Sequence, residues 1–100
     1  MNKSPTVQID PDFKELIPSF MKNSFEEIEE MFTAVEKSDF TTLKRLGHST
    51  KGAGRGYGFN DIGEIGLKIE TAADQQNIYL LKTSINDLVN YLNQVKIVFE

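Results

Sequence analysis

The sequence predicts an all-α protein, an antiparallel four-helix bundle with a short extra N-terminal helix. Three observations point there. Four stretches of the 100-residue chain repeat apolar residues at steps of three and four, the helical period. Capping or helix-breaking residues separate them, leaving only short connections. No stretch of strict alternation suggests a strand, and amphipathic helices so closely linked can bury their stripes only against one another.

Residues 1–9 read as an N-terminal tail, in which Val7 and Ile9 are the side chains able to touch the domain; the bundle occupies residues 10–100. Asp10-Pro11 has the form of an N-cap followed by proline at the first helical position. A short helix then carries Phe13, Leu16 and Ile17 as far as Pro18, which permits a new start or a kink. From Ser19 the residues Phe20, Phe25, Ile28, Met31, Phe32 and Val35 follow a helical period. Lys37-Ser38-Asp39 breaks it, and Ser38 or Asp39 can cap the next helix. That segment, Phe40 to about Tyr57, sets Leu43, Leu46, Thr50, Ala53 and Tyr57 on one stripe. Asp61-Ile62-Gly63-Glu64 has capping-box spacing, and Ile62, Ile65, Ile69 and Ala72 or Ala73 form the stripe behind it. Asn77 caps a last helix in which Leu81, Ile85, Leu88, Leu92, Val95 and Phe99 alternate steps of three and four.

Composition narrows the function. The chain has no cysteine, which removes disulfide frameworks and thiolate metal sites together. Its net charge of −4 speaks against a dedicated nucleic-acid binder, whose affinity rests on neutralising phosphates. No apolar run approaches the ~20 residues that span a bilayer, and Met1-Asn2-Lys3-Ser4-Pro5 lacks an apolar signal core. A cytoplasmic monomer without membrane contact is expected. The charge is unevenly placed: from Phe40 to Asn60 there are four cations, Lys44, Arg45, Lys51 and Arg55, and no anion.

His48 is the one histidine, so any imidazole chemistry must happen there. At ~100° per residue it projects roughly opposite the Leu43–Tyr57 stripe and should face solvent. Lys44 lies at i−4, Lys51 at i+3, Gly52 at i+4 and Arg55 at i+7, spacings at which helical side chains meet. No carboxylate lies within eight residues along the chain. Such a setting suits neither a metal ligand nor a catalytic triad. It suits an exposed nucleophile carrying a negatively charged group such as phosphoryl, which brings about two negative charges. Glycine inside a helix costs ~1 kcal/mol relative to alanine, so this glycine-rich helix needs a reason. Gly52 would clear space for a partner's active site, Gly54 would let another helix approach, and Gly56 and Gly58 would end the helix.

These residues resemble the histidine-containing phosphotransfer (HPt) domain of two-component phosphorelays. That family places a lysine three residues after the phosphorylated histidine, a glycine at four and another at ten, here Lys51, Gly52 and Gly58. Asp39-Phe40, Leu43-Lys44-Arg45 and Gly47 before the histidine are similar too, as are Ile65, Ile69-Glu70 and Ala72-Ala73 after it. The resemblance spans about residues 10–99. It implies that His48 accepts a phosphoryl group on Nε2 and exchanges it with the aspartate of response-regulator receiver domains in a relay fed by a hybrid sensor histidine kinase. It further implies that Lys51 is the charge partner, that Gly52 gives clearance, and that Mg²⁺ belongs to the receiver. Lys44 and Arg55, on the histidine's side of the helix, would help to dock the partner. No ATP site is evident, so a carrier is expected rather than an enzyme, with no metal or cofactor of its own. Thr50, where an aliphatic residue is common, and the extra Gly54 and Gly56 depart from the pattern.

Two rivals come from other classes. Arg55-Gly56-Tyr57-Gly58-Phe59 matches the start of an RNP1 strand, whose aromatics stack RNA bases, but Asn60 and Ile62 break the match. A dinucleotide loop lacks both its strand and its GxGxxG spacing. A non-catalytic helical adaptor bundle with an incidental surface histidine is the remaining alternative.

Overall fold

The computed structural model describes residues 4–100. It contains the four expected helices, α1 (Ile17–Glu36), α2 (Phe40–Tyr57), α3 (Asn60–Asp74) and α4 (Ile78–Gln94), preceded by a 3₁₀ helix over Pro11–Leu16. α1 packs on α2 and α4, and α3 packs on α2 and α4, so the four helices close a ring around one core. Met31, Leu43, Leu46, Ile62, Ile69, Leu81, Ile85 and Leu88 lie fully inside it. The stripes therefore face inward, with three exceptions: Leu16 at the end of the 3₁₀ helix, and Phe25 and Phe32 in α1, are more than a third exposed. Ile28, Met31 and Val35 fill the inward arc of α1, and the two phenylalanines fall beside it.

Three of the helix ends share one solution. Ser38, Gly58 and Gln76 have φ of 53°, 94° and 53°, the left-handed conformation that stops a helix. After α2, Phe59 N–H donates to Gly54 O at 2.8 Å and Gly58 N–H to Arg55 O at 3.3 Å. Caps come directly after two of these turns. Asp39 accepts from Thr42 N–H at 3.1 Å and from the Thr42 hydroxyl at 2.6 Å, and Asn77 accepts from Leu80 N–H at 3.0 Å. The capping box expected at Asp61 does not form. α3 starts two residues earlier with Phe59 as its N-cap, a residue with no side-chain acceptor. Burial holds that turn instead: Phe59 is completely enclosed, with its ring stacked on Phe20 at 5.1 Å.

The ends of the chain differ from expectation. Thr6–Ile9 forms strand β1 and Lys96–Phe99 forms β2, paired in parallel with Thr6 opposite Lys96 and Ile9 opposite Phe99. The last helix therefore stops at Gln94, although Val95 and Phe99 keep its spacing. Lys96-Ile97-Val98-Phe99 is rich in residues that favour strands, and Val7, Ile97 and Phe99 pack against the core while Ile9 enters it. Residues 6–9 are thus a structural element, where the sequence suggests only a tail.

The closest packing is between α2 and α3. A Cβ added at Gly47 would lie 2.6 Å from Glu70 N, and one at Gly54 would lie 2.7 Å from Gly63 N. A Cβ at Gly66 would collide with Lys51 N and Cα. These are backbone contacts, which no rotamer change relieves. Gly52 and Gly56, by contrast, have open space where a Cβ would go. Gly66→Ala should therefore destabilise the fold by about 1–3 kcal/mol through overpacking. Gly56→Ala should be neutral or stabilising by up to about 1 kcal/mol. Thermal and urea melts of the two variants check the difference in sign.

Candidate functional site

α2 carries His48 on its outer face, as its stripe predicts: Leu43, Leu46 and Thr50 are buried and the His48 side chain is 71% exposed. Gly47, immediately before it, rests on the backbone of Glu70 in α3. The contact brings the Glu70 carboxylate between two residues of α2. Glu70 Oε2 lies 3.1 Å from His48 Nδ1, and Glu70 Oε1 accepts a hydrogen bond from Lys51 Nζ at 2.7 Å. His48 has no carboxylate nearby along the chain; the fold supplies one from 22 residues away.

The ammonium of Lys51 bonded to it, with a further contribution from His48, holds the Glu70 carboxyl below the usual carboxylate range. Glu70 is thus ionised at neutral pH and can only accept hydrogen bonds. His48 Nδ1 must then be the protonated nitrogen. In the neutral ring that tautomer leaves the lone pair on Nε2, the atom away from Glu70. The arrangement is an exposed ring nitrogen with a free lone pair, its ring oriented from behind, next to an ammonium with two further N–H groups to offer.

The expected basic patch is largely neutralised. Lys44 Nζ meets Asp74 Oδ1 at 2.9 Å, Arg45 Nη2 approaches Glu30 Oε2 at 3.7 Å, and Lys51 is held by Glu70. Bonded by Asp74, Lys44 holds its proton more tightly than an ordinary lysine. Arg55 alone of the four cations has no carboxylate partner among the described residues, and its stem crosses Gly63. Gly52 leaves the surface beside His48 open. On the other flank Ser49 donates to Glu27 Oε2 at 3.2 Å; burial raises the Glu27 carboxyl above its ordinary value against the opposing pull of that hydrogen bond.

Sequence reasoning alone assigns no role to Glu70. A signal was present: Gly63, Gly66 and Glu70 follow one another at i, i+3 and i+7, on one face of α3. A carboxylate in line with two glycines belongs to the tight helix contact. The aromatics of the RNP1-like stretch are spent on the core: Phe59 stacks on Phe20, and Tyr57 lies 5.4 Å from Phe13 and 5.0 Å from Phe20. They present no stacking platform, and the stretch is a helix end rather than a strand.

Among the described residues no group of histidine, cysteine or acidic side chains is arranged to hold a metal ion, and no helix is long and apolar enough to cross a membrane. The family model for the Hpt domain matches residues 15–96. Comparison with curated proteins and with solved structures returns no match.

Because its folded-state pKa is depressed, Glu70 contributes stability that is present above its unfolded value of about 4.5 and lost as pH falls through the lower folded value. Glu70→Gln should flatten this part of the acid limb. Melting temperatures from pH 6 down to about pH 3 should fall less steeply in the variant than in the wild type. Parallel curves would mean that the Lys51–Glu70 bond is not formed in solution.

Proposed function

The chain belongs to the Hpt domain family, and on that premise we propose that His48 is its phosphoryl-carrying residue. Members of the family are carriers that meet receiver domains and hybrid kinases. The observation that carries the assignment is the pairing of an exposed His48 with an ionised Glu70 at its Nδ1.

The chemistry derives from that pairing. The Nε2 lone pair attacks the phosphorus of an aspartyl phosphate on a receiver domain. The N–P bond forms as the bond from phosphorus to the aspartyl oxygen breaks, and its electron pair returns to the carboxylate. Positive charge develops on the ring during attack, and Glu70 faces it from the Nδ1 side, already oriented before the reaction starts. Lys51 offers its free N–H groups to the phosphoryl oxygens. The reverse sequence returns the group to a second receiver. The bundle supplies position and charge, and the receiver supplies the other reactive group.

Gly52 stands one turn beyond His48, where a side chain would enter the space an approaching domain must occupy. In-line transfer needs the reacting atoms about 3–3.5 Å apart, so displacement of the partner by even an ångström slows it severely.

Incubation with a phosphorylated receiver domain should place an acid-labile label on the wild type and none on His48→Gln, whose fold should remain intact because the ring lies outside the core. Label entering a folded His48→Gln protein would overturn the assignment and leave the adaptor reading. Lys51→Ala should slow transfer without abolishing it, since the nucleophile remains. Gly52→Gln should gain roughly 0.5 kcal/mol of stability from helix propensity and lose transfer by about 100-fold. Wild-type kinetics in that variant would remove Gly52 from the docking surface.

A further inference from the structure

On the flank of His48 away from Glu70, a groove of about 600 Å³ runs between α1 and α2. Its floor is apolar, made by Phe20, Ala53 and Tyr57, with the Phe20 and Tyr57 rings 5.0 Å apart. Every charged side chain lining it is a glutamate: Glu26, Glu27 and Glu30. Arg45 approaches Glu30 at 3.7 Å from outside the groove. Glu26 makes no ion pair among the described residues, and Glu27 has only the Ser49 hydroxyl for its partly buried carboxyl. The groove therefore combines an apolar slot with net negative charge, three glutamates against the one nearby cation, Arg45.

Its location decides what can fill it. Ser49, adjacent to His48, lines the groove, and Ala53 and Tyr57 come one and two turns later. A transient protein–protein contact covers about 600–800 Å² on each partner, a disc of roughly 14–16 Å radius. At ~1.5 Å of helix rise per residue, Ala53 is only ~8 Å along α2 from His48. A contact of that size centred on His48 reaches the groove.

We propose that this groove selects the partner: it receives, from the receiver domain docked on His48, an apolar side chain flanked by lysine or arginine. The proposal rests on the phosphotransfer reading of His48 and adds the chemistry of the partner's contact surface. The apolar residue enters the slot over Ala53 and Tyr57, while its basic neighbours meet Glu26 and Glu27. A receiver with acidic residues there would face like charges in a partly desolvated site and be refused. The basic run of α2 suggests attraction by positive charge, but those cations are mostly spent on Glu30, Glu70 and Asp74. Arg55 is the single cation of the four left unpaired, and the glutamates of the groove are the larger charge left to steer the encounter.

The test uses the full chain and a phosphorylated receiver domain bearing Lys or Arg beside an exposed apolar residue on the surface helix next to its aspartate. A second receiver has that cation changed to Glu. Glu26 is an exposed helix position with no side-chain hydrogen bond or ion pair among the described residues, so Glu26→Lys should leave the fold unaffected. The variant's apparent KM for the basic receiver should rise about five- to tenfold with the saturated transfer rate changed less than twofold, and the rise of KM with salt should become shallower. The charge-swapped receiver should transfer poorly to the wild type and be rescued by Glu26→Lys. If KM is unchanged while His48→Gln still blocks labelling, the groove proposal fails and the relay reading stands. Label entering His48→Gln would instead remove the relay reading on which the groove proposal depends. A concentration-dependent dimer of the chain that Glu26→Lys dissociates, with receiver kinetics unaffected, would assign the groove to self-association and also overturn it.

Discussion

The close approach of α2 and α3 is the constraint on which the site depends. Two helices normally lie 8–10 Å apart, separated by side chains. Here glycines from both helices meet backbone to backbone: Gly47 against Glu70, Gly54 against Gly63, Gly66 against Lys51. Two of those contacts involve the residues that form the site. Gly47 fixes where Glu70 stands relative to its own neighbour His48, and Gly66 fixes Lys51. The short distances from Glu70 to His48 and Lys51 are thus set by the main chain. Glycine's low helix propensity is the cost, and close registry of His48, Lys51 and Glu70 is the gain.

Electrostatics then divides the surface around His48 into two kinds of ground. Towards α3, Lys44 is met by Asp74 and Lys51 by Glu70, and Arg55 alone is left without a carboxylate among the described residues. Towards α1, glutamates surround an apolar slot with little cation to meet them. Paired charges are poor attractors at a distance, because their fields cancel within a Debye length of about 8 Å at physiological salt. Unpaired ones act further out. The histidine stands on the boundary between the two.

How much of this was legible in the sequence depends on the range over which each feature is encoded. The four helices are local: the Leu43–Leu46–Thr50 and Leu81–Ile85–Leu88–Leu92 spacings need only a window of a few turns, and the caps Asp39 and Asn77 act on residues three positions away. His48's exposure comes from the same periodicity. The parallel ladder was not legible, because β1 and β2 pair across 90 residues and Val95 and Phe99 imitate one more helical turn. The Asp61 capping signal lost to the burial of Phe59, a tertiary effect that outweighs a side-chain hydrogen bond at the surface. Glu70 was hidden for a related reason. Its partners are 19 and 22 residues away, and only the matching glycine stripes hint at how near they come.

The parallel ladder has a mechanical consequence. β1 runs from Thr6 to Ile9 beside β2 from Lys96 to Phe99, so the Thr6 end of one strand lies beside the Lys96 end of the other. Tension applied to the two ends of the chain would pull β1 back past Thr6 and β2 onward past Phe99, in opposite directions along the same axis. Such a load shears the ladder, so its hydrogen bonds share the force and must yield together; a hairpin pulled from its open end would unzip one bond at a time. Two four-residue strands thereby act as a clasp that keeps traction on the termini from reaching the helices behind it, and with them the spacing of His48 and Glu70.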